Sequence, residues 1–135
     1  MQASRPIPGS PEEWMLRAKG DLALAKVPLP RGGFYEDLCF HAQQAAEKAL
    51  KSVYIKHGWT FRYVHDLEEL VTGLKQKGQP IPDDVEEAVV LTDYAFEARY
   101  PGLAESLTEQ QYRRAVAIAE RVVGWAEEVI EGSRP

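Results

Sequence analysis

The chain has 135 residues, of which 44% are apolar and 27% are charged, a composition typical of one globular domain. Its net charge of −5 argues against a broad positive surface for non-specific nucleic-acid binding. The single cysteine, Cys39, excludes an internal disulfide and fits the reducing cytoplasm, where we expect the protein to act. We expect neither a membrane span nor a signal peptide, because the sequence lacks the apolar run that each requires.

Proline and glycine divide the chain into segments in which apolar residues recur at helical spacing. We predict a flexible lead over residues 1–10 and a helical domain over residues 11–131. Its predicted helices span about 11–26, 35–57, 65–77, 83–98 and 107 or 109 to 131. No segment alternates apolar and polar residues as a strand would. The predicted fold class is therefore all-α, an up-and-down bundle of about five helices.

Capping residues mark several of these helix ends. Ser10 followed by Glu13 fits an N-cap with a capping-box partner, and Thr108 followed by Gln111 fits a second capping box. Gly58 is a natural terminator for the second helix.

The second predicted helix has two unlike faces at about 100° per residue. One face is small and apolar, which suits close packing against another helix: Cys39, Ala42, Ala45, Ala46, Ala49 and Val53. The opposite face carries a polar row: Asp37, His41, Gln44, Lys48 and Lys51. We expect Cys39 to pack inertly, since it lies on the apolar face.

The polar row admits two interpretations that the sequence leaves open. It is either a solvated surface, in which Asp37 and His41 pair one turn apart, or a groove for a phosphate-bearing or protein partner. If the row is a groove, His41 can donate or accept a hydrogen bond near neutral pH, and Lys48 can bind phosphate as a point charge.

A second candidate group lies at the end of the fourth predicted helix. Tyr94, Arg99 and Tyr100 could stack on a base or clamp a phosphate, although an arginine at a helix end also serves to tie down the following turn.

We predict no metal site and no cofactor. The three histidines lack metal-ligand spacing, and the sequence contains no glycine-rich phosphate loop. His65 and Asp66 lie where the third predicted helix begins, so a helix cap is expected there rather than a catalytic pair.

The run from Tyr35 to Lys51, His65-Asp66-Leu67, and Tyr94 with Arg99-Tyr100-Pro101 together resemble the HEPN family (higher eukaryotes and prokaryotes nucleotide-binding). The resemblance covers about residues 12–130. It implies a compact all-α domain and a homodimer built around the long helices. It also implies a small nucleotidyltransferase partner, as in many bacterial and archaeal members that form one half of a toxin–antitoxin pair.

Some members of that family are metal-independent ribonucleases that carry an arginine followed after four to six residues by a histidine. This chain departs from that pattern, since no histidine follows Arg99. Without a proton-shuttling group beside the arginine, we expect a binding module rather than an enzyme.

The leading hypothesis is a homodimeric HEPN-like module that engages a small nucleotidyltransferase and whose site residues contact either that partner or the phosphate of a bound nucleotide. Its predicted contact residues are His41, Gln44, Lys48, Tyr94, Arg99 and Tyr100. The alternatives are a ribonuclease with a non-standard site using His41 and Arg99, and a purely structural interaction protein.

Overall fold

The computed structural model describes residues 5–63, 65–98 and 106–132 of the chain. Within these ranges the fold is all-α, as the sequence predicts, and contains no strand. The helices are α1 (Pro11–Ala25), α2 (Tyr35–His57), α3 (Leu67–Gln76), α4 (Asp83–Glu86), α5 (Val89–Ala98) and α6 (Glu109–Glu131). None of these described helices combines the length and apolarity needed to cross a membrane.

The predicted N-cap residues are confirmed, and so is the second of the two predicted capping boxes. Ser10 Oγ accepts a hydrogen bond from the Glu13 backbone N–H at 3.2 Å, and Thr108 forms the reciprocal capping box with Gln111. The Glu13 carboxylate, however, accepts from the Gly9 N–H at 2.8 Å rather than from that of Ser10. This bond ties the residues before α1 to its first turn.

The sequence predicts one helix over residues 83–98, and this prediction is wrong, because α4 and α5 are separated by a turn at Glu87 and Ala88. The Ala88 N–H donates to the Val85 carbonyl, and the Val90 N–H donates to the Glu87 carbonyl, both at 3.0 Å. These bonds span three residues instead of four, so the backbone tightens and the α-helical hydrogen bonding is interrupted.

Helix α2 lies at the centre of the bundle, where it contacts α1, α3, α5 and α6. Its predicted apolar face is confirmed, since six side chains are 0% exposed: Cys39, Ala42, Ala45, Ala46, Ala49 and Val53. Because these side chains are small, the neighbouring helices can pack close to the α2 backbone. Gly58 ends α2 in the left-handed conformation, with a φ of 73°.

Two ion pairs show the relative direction of α1 and α6. Lys19 pairs with Glu127, and Lys26 pairs with Glu120, so rising numbers on α1 meet falling numbers on α6. The two helices are therefore antiparallel, and a short loop folds α1 back on α2 as a hairpin.

Helix α3 is held against α2 by a close backbone approach. The Tyr54 hydroxyl donates to the Leu70 carbonyl at 2.7 Å. A Cβ atom at Gly73 would collide with that hydroxyl, so the contact needs glycine at this position.

Candidate functional site

The middle of the predicted polar row on α2 is bound to α1. His41 Nδ1 lies 3.1 Å from Asp21 Oδ1, and Lys48 Nζ lies 2.5 Å from Asp21 Oδ2. The Asp21 side chain is 11% exposed, whereas those of His41 and Lys48 are 35% and 29% exposed. One carboxylate thus joins two of the predicted site residues and neutralises the Lys48 ammonium. These three residues are the Asp21 cluster.

The predicted pairing of Asp37 with His41 is wrong. Asp37 is exposed in the first turn of α2, and the His41 ring bonds to Asp21 instead. Since α1 packs along this side of α2, its carboxylate reaches the imidazole from the neighbouring helix. A pair within α2 would have been exposed and worth only a few tenths of a kcal/mol.

A second carboxylate, that of Glu47, is buried on another side of α2. Its Oε1 accepts from Gln43 Nε2 at 3.1 Å and lies 2.9 Å from His65 Nδ1, and its Oε2 accepts from Lys51 Nζ at 2.9 Å. Gln43 also donates to the His65 backbone carbonyl at 3.1 Å. These four residues form the Glu47 cluster, which fastens the segment before α3 to α2.

Gln44 and Lys51 do not form an exposed row. Gln44 bonds to a member of the Glu47 cluster, and Lys51 is itself a member of it. Gln44 Nε2 donates to the side-chain oxygen of the preceding glutamine at 2.8 Å. The interpretation of the row as a solvated surface is wrong for Lys51, because Lys51 is 4% exposed. Its ammonium pairs with Glu47 and lies 5.3 Å from the ring centroid of Phe61 and 5.9 Å from that of Trp14. The ion pair and the ring faces offset the cost of burying its charge.

The remaining predicted site residues do not join His41 in the described structure. Tyr94 is 9% exposed and packs in the core. No hydrogen bond among the described residues links it to His41, Gln44 or Lys48. Arg99 and Tyr100 lie outside the described residues, so their assignment to the site stays a prediction.

Sequence reasoning missed Asp21, Glu47 and Gln43 as members of these clusters. Two signals could have found part of them. Gln43, Glu47 and Lys51 recur every four residues, so they share one side of a helix. Asp66 caps α3 by accepting from the Glu68 N–H at 2.9 Å, as expected, which leaves His65 available to Glu47.

Two acidic side chains in or against the core, buried Cys39 and half-buried Tyr112, have raised pKa values. Burial raises the pKa of the Cys39 thiol to about 12, and the nearby Glu36 carboxylate adds to the shift. Burial also raises the pKa of the Tyr112 hydroxyl, which donates to the Ala25 carbonyl at 2.6 Å. The expectation that Cys39 packs on the apolar face is confirmed by its burial, and the raised pKa disfavours the reactive thiolate.

The buried polar groups of the described residues are hydrogen-bonded within the protein. In the described ranges, every buried side-chain nitrogen and oxygen atom has a hydrogen-bond partner. Across these same residues, no group of His, Cys, Asp and Glu side chains is arranged to hold a metal ion.

A family model of the HEPN domain matches residues 11–129. The chain belongs to the HEPN domain family. The chain is similar to an archaeal HEPN homologue whose crystal structure is known. The two sequences are 29% identical, the TM-score is 0.71, and the match covers 90% of this chain and 98% of that chain. No curated protein sequence matches the chain significantly.

Many of the residues that carry the HEPN resemblance build the fold. The alanines between Tyr35 and Lys51 form the buried face of α2, and Glu47 and His65 clamp the chain before α3. The family signature on α2 in this chain is thus, for the most part, a packing signature.

Proposed function

We propose that this HEPN chain is a homodimeric binding module that engages a small nucleotidyltransferase as one half of a toxin–antitoxin-type pair. The family supplies the starting point for this proposal. The observation that carries it is an apolar patch at one end of the α1–α2 hairpin.

The patch consists of Leu24, Val27 and Phe34, whose exposed fractions are 50%, 38% and 59%. All three lie at or beside the loop that joins α1 to α2, so they share one end of the molecule. Grouped exposed apolar side chains favour protein association, because burying them removes apolar surface from water. The hairpin patch suits either a second copy of the chain or the nucleotidyltransferase.

The Asp21 cluster argues against strong phosphate binding at Lys48. Lys48 already shares its charge with Asp21, so a phosphate would have to compete with a carboxylate that contacts the ammonium. A nucleotide bound at His41, Gln44 and Lys48, with Tyr94, Arg99 and Tyr100 completing the cleft, is the weaker part of the proposal.

Co-expression tests the partner. The chain, carrying an affinity tag, is produced together with the nucleotidyltransferase encoded by an adjacent gene, and the two should copurify. Phe34→Glu should reduce copurification, whereas Tyr63→Glu should not, because Tyr63 is 91% exposed and follows the opposite end of α2. Copurification that is equal in both variants would remove the patch from the interface.

Calorimetry tests the nucleotide. We expect AMP or ATP to bind wild type more tightly than Lys48→Ala, with Lys56→Ala as an exposed control on the same helix. Binding that is unchanged in Lys48→Ala would place the nucleotide elsewhere, and a protein that binds neither nucleotide nor partner would be a structural interaction protein.

A ribonuclease with a non-standard site is the second candidate function. It is favoured by the contact between Asp21 and His41 Nδ1, because a carboxylate on one imidazole nitrogen can orient the ring for proton transfer at the other. This function requires cleavage of single-stranded RNA in the presence of EDTA, and the cleavage must be lost in His41→Ala.

A further inference from the structure

A groove at the other end of α1 has a different character from the hairpin patch. Its walls are the segment before α1 and the first two turns of the helix, and its volume is about 750 Å³. Clefts that hold ligands commonly measure roughly 300–1,000 Å³. The lining residues are Arg5, Pro6, Ile7, Pro8, Glu13, Leu16 and Arg17.

The wall of this N-terminal groove is held in place. The Ser10 N–H donates to the Ile7 carbonyl at 3.0 Å, and the Gly9 N–H donates to the Glu13 carboxylate at 2.8 Å. Pro6 and Pro8 restrict the backbone of the same segment. A partner would therefore meet a largely preformed surface, which lowers the entropic cost of binding.

A second cavity of about 280 Å³ adjoins the groove and shares two of its residues, Glu13 and Arg17. Trp14 and Lys48 also line it. The Arg17 side chain thus borders an aliphatic groove on one side and an indole on the other.

The charges that line the two cavities favour an anionic occupant. The cations are Arg5, Arg17 and Lys48, and the one carboxylate among the lining residues is that of Glu13. Since Lys48 is paired with Asp21, the positive charge offered to a partner comes from the two arginines. Neither arginine forms an ion pair with a described residue. The next cavity along α1 shares Pro6 and Leu16 with the groove and is lined by Glu12, Glu127 and Glu131, so the positive charge is that of the two arginines and does not extend over this whole end of the helix.

We propose that the N-terminal groove binds an acidic segment of a protein partner that also carries bulky apolar side chains. Ile7 is 76% exposed and Leu16 is 56% exposed, so both can receive aliphatic or aromatic side chains, while Arg5 and Arg17 receive carboxylates. The groove itself has no aromatic lining residue, and the one indole nearby, that of Trp14, lies in the adjoining cavity, which favours a peptide over a single-stranded RNA in the groove. This inference rests on the proposed role as a partner-binding module and names the chemistry of one contact.

The test uses the full chain and a short fluorescein-labelled peptide that carries glutamates with spaced Leu and Phe residues. Fluorescence anisotropy should show saturable binding that weakens with added salt. The double variant Arg5→Glu/Arg17→Glu should bind roughly tenfold more weakly. A peptide with lysines in place of the glutamates should bind this double variant better than it binds wild type.

Matched controls separate the groove from general charge. Arg62→Glu/Arg114→Glu changes the net charge equally at exposed arginines outside both cavities and should leave binding unchanged. Leu16→Ser should weaken binding, whereas Leu24→Ser should not. Thermal melts of all variants should agree with that of wild type, which shows that the fold is intact.

Three results would overturn the inference: no binding of the acidic peptide, equal loss in both arginine pairs, or arginine-dependent binding of oligouridylate in place of the peptide. The test is independent of copurification with the nucleotidyltransferase. If copurification fails while the peptide binds through Arg5 and Arg17, the proposed function is wrong and the groove stands. The reverse outcome removes the groove alone.

Discussion

The Asp21 and Glu47 clusters use the same chemical groups in different surroundings. Each centres on one carboxylate that contacts an imidazole and an ammonium on or beside α2. The Lys48 side chain is 29% exposed, whereas that of Lys51 is 5% exposed. A buried ion pair is costly to break because the remaining charge stays away from water, whereas a partly exposed pair is replaced by solvent. Burial, rather than residue type, therefore decides how much each cluster contributes to stability.

The largest expected effect comes from breaking the Glu47 cluster. Glu47→Ala leaves the Lys51 ammonium buried without its carboxylate, so the free energy of unfolding should fall by about 3–5 kcal/mol. Glu47→Gln keeps hydrogen-bonding capacity and should cost less. Urea denaturation followed by circular dichroism measures both variants, and a Glu47→Ala cost close to zero would contradict the burial of this pair.

The apolar face between the two clusters gives an uncharged reference. Ala45 is 0% exposed, so the added bulk in Ala45→Leu should destabilise the protein by about 1–3 kcal/mol through overpacking. Lys56→Leu on the exposed end of α2 should stay within about 0.5 kcal/mol of wild type. A melting temperature unchanged by Ala45→Leu would argue against the close packing of α2.

The Asp21 cluster should be less sensitive. Asp21→Asn removes the charge that faces Lys48 but leaves solvent access to both partners, so we expect a loss of about 1 kcal/mol. Asp37→Asn, at the exposed position that the sequence paired with His41, should have almost no effect. If both variants lower the free energy of unfolding equally, the contacts of Asp21 with His41 and Lys48 do not stabilise the protein.

The ionisation of Cys39 should have the smallest effect on stability near neutral pH, because the thiol carries no charge there. Its folded pKa of about 12 exceeds the ordinary value of 9.0, so folding favours the neutral thiol. Its contribution to stability is complete below pH 9 and is lost as pH rises toward 12. Unfolding measured across this range should show a shallower decline in Cys39→Ala, and a thiol reagent should label wild type only after denaturation.

The sequence was sufficient to predict the elements that depend on neighbours along the chain. The bounds of α2, its alanine face and the Thr108 capping box follow from spacing and capping chemistry, which are local. The break between α4 and α5 escaped prediction because apolar spacing continues through Glu87 and Ala88 while the hydrogen bonds do not.

Contacts between helices could not be predicted in the same way. The approach of Asp21 to His41 depends on how α1 is placed along α2, and periodicity within one helix carries no information on that placement. Lys51 was placed in the polar row by its helical angle, but its burial depends on Glu47 and on the rings of Phe61 and Trp14 that other segments bring against α2. The fold was predicted correctly because it depends on local patterns. The candidate site was predicted incompletely because it depends on how the helices are placed against one another.

The central proposal is that this HEPN chain forms a homodimer through the hairpin patch. Light scattering coupled to size-exclusion chromatography tests it most directly, with wild type, Leu24→Glu and the control Tyr63→Glu. The account predicts that wild type and the control have twice the chain mass of 15.2 kDa and that Leu24→Glu has the mass of one chain. A wild-type mass of 15.2 kDa across the accessible concentrations would contradict it.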